Sequence, residues 1–383
     1  MRALAHVWIE LLQTLLRVLP FPTETGLVRV GKPDRHSPVL LTCNFRLTVE
    51  RVKRSLAGID AYLLVANSRG VNVWCAATGG LLTTHDIVSV LKTSGIEALV
   101  DERRIILPQL AATGIDAKEV LERTGWRVVW GPVYADSIPA FLRSGWRATA
   151  GMRAVGFPWP ERLEMAVAWA CPISLVGALL ALPFGWGFVA PWVGVIWGLS
   201  LLLFLAFPLY ERHLHRTGRN FGFVFFDFGR HGVPLVLWGI FLLALVGLAA
   251  LSGDFSWALV ARWGPSSLAV VLVLSLDLMG STPTYKSGLH EDRRLEIVLD
   301  AQRCKGAGFC EQVCPTRVFE IDHARRLAIL PRADACVQCG ACIVQCPFDA
   351  LHFRTPSGEV VAPATVRRFK LNLLGRRTVR PRG

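Results

Sequence analysis

Cys336-Val-Gln-Cys339-Gly-Ala-Cys342-Ile-Val-Gln-Cys346-Pro347 is the stretch whose reading decides most about this chain. Four thiolates must converge on one iron–sulfur cubane. Two-residue gaps let three of them do so from short glycine-tolerant turns, and the fourth cysteine, just before proline, reaches a second cluster. Zinc is the competing metal, and the full run argues against it. A second copy lies upstream. Cys304, Cys310, Cys314 and Pro315 stand in register with Cys336, Cys342, Cys346 and Pro347, and Ala307 stands where Cys339 would be.

The spacing is that of bacterial double-cluster ferredoxins, an α+β fold, and the pairing follows from it. Cys336, Cys339, Cys342 and Cys314 form one complete [4Fe–4S] ligand set. Cys304, Cys310 and Cys346 form a second set of three, with Ala307 in the fourth slot. A [3Fe–4S] cluster, a cubane with an open iron, and a cubane with a ligand from elsewhere all fit that second set. The ferredoxin domain is read as 285–358, followed by a basic tail, 359–383, with Arg367, Arg368, Lys370, Arg376, Arg377, Arg380 and Arg382. Such a tail is solvated or lies against anionic lipid.

Working towards the N-terminus, residues 164–281 are dominated by apolar runs. Met165–Phe184, Phe188–Tyr210 and Gly232–Leu251 are each long enough to cross a bilayer, which needs about 20 residues. Trp263–Gly280 is a shorter fourth, with Asp277 near its end. Four in succession read as an α-helical transmembrane bundle. The loop 211–231 carries Arg212, Arg216, Arg219 and Arg230, with His213 and His215. The positive-inside rule puts that loop in the cytoplasm. An even number of spans then puts both flanking domains on the same side of the cytoplasmic membrane.

Residues 22–160 alternate apolar runs, Pro38–Thr42 and Ala61–Ala66, with helix-like stretches, Val49–Leu56 and Asp86–Lys92. Trp126–Trp130 reads as a later strand ending at Gly131-Pro132. Continuous apolar strands with helices between them imply an α/β domain with a mostly parallel sheet. Residues 1–21 read as an amphipathic helix, with Leu4, Trp8, Leu11, Leu15 and Val18 at helical spacing. Glu10 and Arg17 break any signal-peptide core.

Composition sets the outer bounds. The chain has 383 residues, 52% hydrophobic and 19% charged, with a net charge of +13. The low charged fraction disfavours disorder and a purely soluble, charge-coated protein. Seven of the ten cysteines lie between Cys304 and Cys346, which argues for metal in a reducing compartment, not a secreted disulfide scaffold. The basic residues lack interleaved aromatic platforms, which argues against nucleic acid as a partner.

One cysteine stands apart. Asn72-Val-Trp-Cys75-Ala-Ala77 follows the strand Ala61–Ala66 and the turn Ser68–Gly70, and runs into Thr78-Gly-Gly80 before a helix from about Thr84. On its own, such a cysteine is most often a small buried hydrophobe. The six residues resemble the cap-helix motif of the mercury-methylation corrinoid protein family. Ser37-Pro-Val-Leu-Leu-Thr42, Arg104-Ile-Ile-Leu-Pro-Gln-Leu110, Gly131-Pro-Val133 and the membrane region look like that family too. The likeness spans about residues 25–280, and the tail end is similar to the partner ferredoxin of the same system. The chain thus looks like a fusion of the pair, related to the corrinoid iron–sulfur proteins of acetyl-CoA synthesis.

The resemblance implies a cobamide with Cys75 as lower axial ligand to cobalt. Asn72, Trp74 and Ala76 become cap residues, and Thr42 and Asn44 become corrinoid contacts. A thiolate is a soft, strongly donating ligand. Electron density pushed onto cobalt favours releasing a methyl group with its electron pair to a soft electrophile such as Hg(II). The implied activity is a corrinoid-dependent methyltransferase, re-armed by ferredoxin electrons. Its partners are the lipid bilayer, a methyl donor protein or methyl-folate, and a low-potential electron donor. Three departures stand out: Thr78-Gly79-Gly80 where the family usually continues Gly-Lys-Gly, so that its lysine is absent, no cysteine after Cys346, and Ala307 among the cluster ligands. They leave open a methyl carrier with a non-mercury acceptor, and a membrane-bound electron carrier.

Overall fold

The computed structural model describes residue 15 and residues 19–214, 232–277, 295–355 and 357–368. Nearly all of the N-terminal helix 1–21, most of the basic loop 211–231, residues 278–294 and the tail beyond Arg368 lie outside the described residues. The chain forms two compact units. One joins Pro20–Val155 to Arg294–Gly383, and the other joins Met1–Leu19 to Gly156–Arg293.

The α/β part of the first unit is built on a five-stranded sheet. Its strands are β1 (Gly26–Val30), β2 (Val39–Cys43), β3 (Ala61–Ala66), β4 (Arg104–Leu107) and β5 (Arg127–Trp130), in the order β1-β3-β2-β4-β5. β2, β3, β4 and β5 run parallel, with Val39 beside Tyr62 and Leu107 beside Trp130. β1 is an antiparallel edge strand, Gly26 facing Val65. The expectation of a mostly parallel sheet stands, with the edge strand added. Every residue of β2 and β3 is buried, which is why both read as unbroken apolar runs.

The pleat sends alternate residues to opposite faces. Leu40, Leu63, Val65 and Ile106 pack on one face under the helix Arg46–Ser55 and Phe141. Leu41, Cys43, Leu64, Ala66, Ile105 and Leu107 pack on the other, with the helices Val73–Gly79 and Thr84–Thr93. β2 has β3 on one side and β4 on the other. The connections therefore part at β2, and open α/β sheets bind ligands at the carboxyl ends of strands at such a point.

The cysteine-rich part of this unit has a three-stranded antiparallel sheet of β6 (Glu296–Leu299), β9 (Leu351–Arg354) and β10 (Val360–Val361). It also has the hairpin β7 (Glu320–Asp322) and β8 (Leu327–Ile329). The sequence repeat is a structural repeat. The short helices Phe309–Val313 and Ala341–Gln345 both start after a left-handed glycine, Gly308 at φ 80° and Gly340 at φ 75°. Both end at a cysteine in extended conformation, Cys314 and Cys346. Arg317 and Asp349 then occupy matching left-handed positions.

The basic tail begins later than its composition suggested. β10 pairs with β9, and the helix Pro363–Arg368 buries Val366 in the ferredoxin core. Arg367 is no solvated tail residue. It ion-pairs with Asp349 at 2.6 Å and donates to the carbonyls of Ile343 and Cys346 at 3.3 and 2.9 Å. A run of basic residues gives no sign that one of them caps a helix end.

The second unit is helical: Trp159–Ala181, Trp186–Leu205, Phe207–Leu214, Val233–Ser252 and Trp257–Asp277. The first begins six residues before the apolar run, because Pro160 sits in its first turn and can start a helix there. Three of these helices are long and apolar enough to cross a bilayer by length and composition, and a further apolar stretch, Val189–Leu205, is shorter. Ser200 Oγ donates to the Ala166 carbonyl at 2.7 Å, and Trp238 Nε1 donates to Ser267 Oγ at 2.9 Å. Those bonds tie the helices in pairs. Leu243, Leu248 and Leu251 are turned outward, Leu251 with 87% of its surface exposed. Pro172, Pro191 and Pro265 lie inside helices.

Candidate cofactor sites

The segment after β3 is set by a buried bracket. Asn44 Oδ1 accepts from the Ser68 amide (2.8 Å), the Ser68 hydroxyl (2.9 Å) and the Gly70 amide (3.0 Å). Asn44 Nδ2 donates to the Thr23 carbonyl at 3.2 Å. Gly70 has φ 72°, and a Cβ there would lie 2.6 Å from the Pro22 nitrogen. The bracket turns the chain back over the carboxyl edge of the sheet and into the helix Val73–Gly79.

Asn72 caps that helix. Its Oδ1 accepts from the Cys75 amide at 2.9 Å, and its Nδ2 donates to Cys75 Sγ at 3.4 Å. Thr78 Oγ1 folds back on the Trp74 carbonyl at 2.8 Å, and Gly80 closes the helix in left-handed conformation. Val73, Trp74, Ala76 and Ala77 are buried, while Asn72 and Cys75 are only partly so. The thiol therefore sits on the outer side of the first turn.

The expected corrinoid contacts divide on this geometry. Asn72 and Cys75 share the outer side. Ala76 is 0% exposed and its methyl belongs to the core. Trp74 is buried as well, with 8% of its surface exposed. Thr42 is buried in β2, and Asn44 is 4% exposed with both ends of its amide already engaged. Of the expected corrinoid residues, Ala76, Thr42 and Asn44 therefore have buried side chains in this structure. Six consecutive residues cannot face one way on a helix of 3.6 residues per turn.

The seven other motif cysteines ring two separate hollows. Cys314, Cys336, Cys339 and Cys342 line one of about 290 Å³, partly open to solvent. Cys304, Cys310 and Cys346 line the other, of about 340 Å³, with Ala307 in its wall. No other cysteine, histidine or carboxylate is among the residues lining the second hollow. Among the described residues, no three His, Cys, Asp or Glu side chains converge on a point that would hold a single ion.

The thiols are suited to a positively charged guest. Burial pushes Cys310 up to about 12, and burial also raises Cys339 and Cys342 well above the ordinary thiol value. Such groups ionise only beside a compensating charge, which iron supplies. Backbone amides already point at sulfur: Val318 to Cys314 (3.3 Å), Gln338 to Cys336 (3.4 Å) and Ala328 to Cys304 (3.5 Å). The Gln338 Nε2 donor, buried in the Cys336–Cys339 loop, has no partner among the described residues. A sulfide-rich cluster offers such donors acceptors, and the residues fit it.

Sequence reasoning missed the polar residues at which the two parts of this unit meet. The 3-10 turn Gln109–Thr113 follows β4 and packs against the helix Val73–Gly79. Thr113 Oγ1 donates to the Cys339 carbonyl. Gln345 Nε2 donates to the carbonyls of Ala112 (2.8 Å) and Ile115 (2.6 Å), and its Oε1 accepts from the Ala117 amide at 3.4 Å. Val313 and Ala341 are buried within the α/β core itself. Nothing in the local sequence marks Thr113 or Gln345 apart from other polar residues.

Comparison with known proteins gives two matches. Residues 9–142 match a family described as CO dehydrogenase/acetyl-CoA synthase delta subunit. Residues 303–350 match a 4Fe-4S dicluster domain. The acetyl-CoA decarbonylase/synthase complex subunit gamma of Methanopyrus kandleri is 38% identical over 125 residues, 32% of this chain and 27% of that protein. The corresponding subunit of Methanothermobacter thermautotrophicus is also 38% identical over 125 residues, 32% of this chain and 27% of that protein. That of Archaeoglobus fulgidus is 34% identical over 129 residues, 33% of this chain and 27% of that protein. The chain spans about a quarter of the length of these relatives.

Proposed function

We propose that this chain is a membrane-anchored methyl-transfer protein dependent on a corrinoid and on iron–sulfur clusters, a methyltransferase with Cys75 as the lower axial ligand to cobalt. The observation that carries this reading is the placement of Cys75. It is the partly exposed sulfur on a helix whose other early residues are buried, at the carboxyl edge of the sheet where α/β domains bind ligands. The matches to an acetyl-CoA synthase subunit family and to a dicluster domain support the same pairing of chemistries.

A bound cobamide supplies a methyl group on cobalt that leaves with its electron pair for a soft acceptor, and Hg(II) is the acceptor we put first. Cys75 would hold the cobalt through a sulfur lone pair, and Asn72 orients that sulfur through its amide. Val73 and Ala76 root the helix in the core, so the sulfur keeps its place. The two thiol sets hold one [4Fe–4S] cluster and a second cluster of three-thiolate type. Clusters held there would supply low-potential electrons to a bound corrinoid. Carrying both parts on one chain keeps the electron source at high effective concentration.

The bilayer is the proposed anchor. Residues 113 and 339 touch, so the chain between them crosses any membrane an even number of times. That supports four spans, with Val189–Leu205 completing the three longer helices. By the positive-inside rule the basic loop 211–231 supports a cytoplasmic position for both domains, where a methyl donor protein or methyl-folate and a low-potential electron donor are at hand. A corrinoid methyl carrier with a non-mercury acceptor is the second reading. It is favoured by Thr78-Gly79-Gly80, which carries no lysine where the resembling family continues Gly-Lys-Gly.

The test is anaerobic reconstitution with cobamide, metal analysis for cobalt and iron, and absorption spectra of the protein and of Cys75→Ala. We expect bound cobalt and iron, a spectrum altered by Cys75→Ala, and loss of methyl transfer by at least about a hundredfold. Iron without cobamide uptake, or transfer untouched by Cys75→Ala, overturns the reading and leaves a membrane-bound electron carrier. Methylmercury formation in a host lacking its own system separates the two acceptors.

A further inference from the structure

We propose that Thr113 and Gln345 are positioning residues that hold the complete cluster site against the cap-helix side of the α/β domain, making it the proximal of the two cluster sites. The inference rests on the corrinoid reading of Cys75 and adds to it which site faces the corrinoid and what keeps it there.

The contacts fall mainly on the complete set, Gln345 being the neighbour of Cys346 in the other. Thr113 bonds the carbonyl of Cys339, a member of the four-thiol set. Val155 donates its amide to the Pro315 carbonyl at 2.9 Å, one residue after Cys314 of the same set. Neither Cys304 nor Ala307 nor Cys310 receives a hydrogen bond from residues 20–155 among the described residues. The turn Gln109–Thr113, which meets Cys339 at one end, is the element packed on the helix that carries Cys75. The path from thiol set to cap helix is therefore a single turn of backbone.

Gln345 makes this docking specific. It is 7% exposed, and both ends of its amide engage the backbone of residues 112–117. Those carbonyls belong to a turn with no sheet partner, so a hydrocarbon at position 345 would leave buried acceptors unpaired. Arg367 adds an ion pair to Asp116 at 3.6 Å from the same side. Val313 and Ala341 complete an apolar seam continuous with the α/β core. A transient contact would not bury a side-chain amide in this way.

The electron count is simple. One electron leaves the proximal site, which is oxidised by one unit, and enters the corrinoid, which is reduced by one. An external iron–sulfur electron carrier replaces it through the distal site, and no proton moves.

The test uses the full chain in detergent, with Thr113→Val and Gln345→Leu. Thr113→Val keeps shape and removes one hydroxyl, so it guards against a folding failure of Gln345→Leu. Amide hydrogen exchange is read at 109–117 and 341–346 without corrinoid. We expect both variants to exchange at least about fivefold faster in both segments, the factor one net hydrogen bond is worth. With corrinoid bound, electron passage from pre-reduced clusters should slow about tenfold, while reduction of the clusters by dithionite is unchanged. Wild-type exchange already as fast as in the variants overturns the proposal, as does loosened docking with undiminished electron passage. Should no corrinoid bind, the functional reading fails and the exchange data still decide whether the clamp exists.

Discussion

Asn72 and Cys75 hold each other in both directions across one turn: the Cys75 amide donates to Asn72 Oδ1 at 2.9 Å, and Asn72 Nδ2 donates to Cys75 Sγ at 3.4 Å. The two bonds separate by substitution. Asn72→Asp keeps an N-cap acceptor of equal quality but loses the donor to sulfur. Asn72→Ala loses both, and an N-cap deletion costs about 1 kcal/mol. We expect Asn72→Asp to melt like the wild type, Asn72→Ala to melt lower, and both to retain less cobalt through gel filtration. Full cobalt retention by Asn72→Asp would mean the amide does not serve the sulfur.

Cys43 provides a pH test in the same domain. It ends β2 with no exposed surface, and burial raises its thiol above the ordinary value. A group whose folded value is raised stays neutral in the native state while the unfolded chain ionises. Its stabilising share is whole below the unfolded value and is lost as pH climbs past it. Wild type should lose up to about 1.4 kcal/mol more stability per pH unit above roughly 9 than Cys43→Val does. Melting curves of the two proteins from pH 7 to 10 check it, and parallel curves would count against it.

Much of this was legible in the sequence because the signals were periodic or covalently constrained. β2 and β3 are buried on both faces, so their residues read as unbroken apolar runs. The cysteine repeat fixed the pairing that places Cys314 with the downstream set and Cys346 with the upstream one around two hollows. The edge strand Gly26–Val30 was not legible, since its residues are only half-buried and Arg29 interrupts them. The roles of Asn44, Gln345 and Arg367 were hidden for one shared reason. Each acts through backbone carbonyls or amides far away in sequence, and sequence pattern does not report such partners.

Ala307 tests the second cluster site. It lies in the wall of the hollow lined by Cys304, Cys310 and Cys346. Ala307→Cys adds the fourth thiol in the slot that Cys339 fills in the other copy. After anaerobic reconstitution we expect iron content to rise by about one atom per chain, with the second cluster's electron paramagnetic resonance changing to a four-iron type. The signal of the cluster held by Cys314, Cys336, Cys339 and Cys342 should not change. An unaltered iron count would mean that site already holds four irons.

Gly114 tests the close approach on which the cap helix depends. Its backbone is ordinary, at φ −99°, so glycine is not needed there for conformation. Space requires it: a Cβ would lie 2.4 Å from the Leu82 carbonyl oxygen and 2.9 Å from Ala77 Cα. Both atoms are backbone and cannot swing away. Gly114→Ala must therefore lift the turn Gln109–Thr113 off the helix Val73–Gly79, and overpacking of this kind costs about 1–3 kcal/mol. Gly79→Ala is the matched control, since a Cβ there meets nothing within 4 Å. Alanine is favoured over glycine in a helix by about 1 kcal/mol. Opposite shifts in melting temperature are expected from two substitutions that each add one methyl group near the same helix. Gly114→Ala should also accelerate amide exchange at 109–113, where the turn meets Cys339. Equal behaviour of the two variants would mean that the turn and the cap helix are not packed as closely as these distances require.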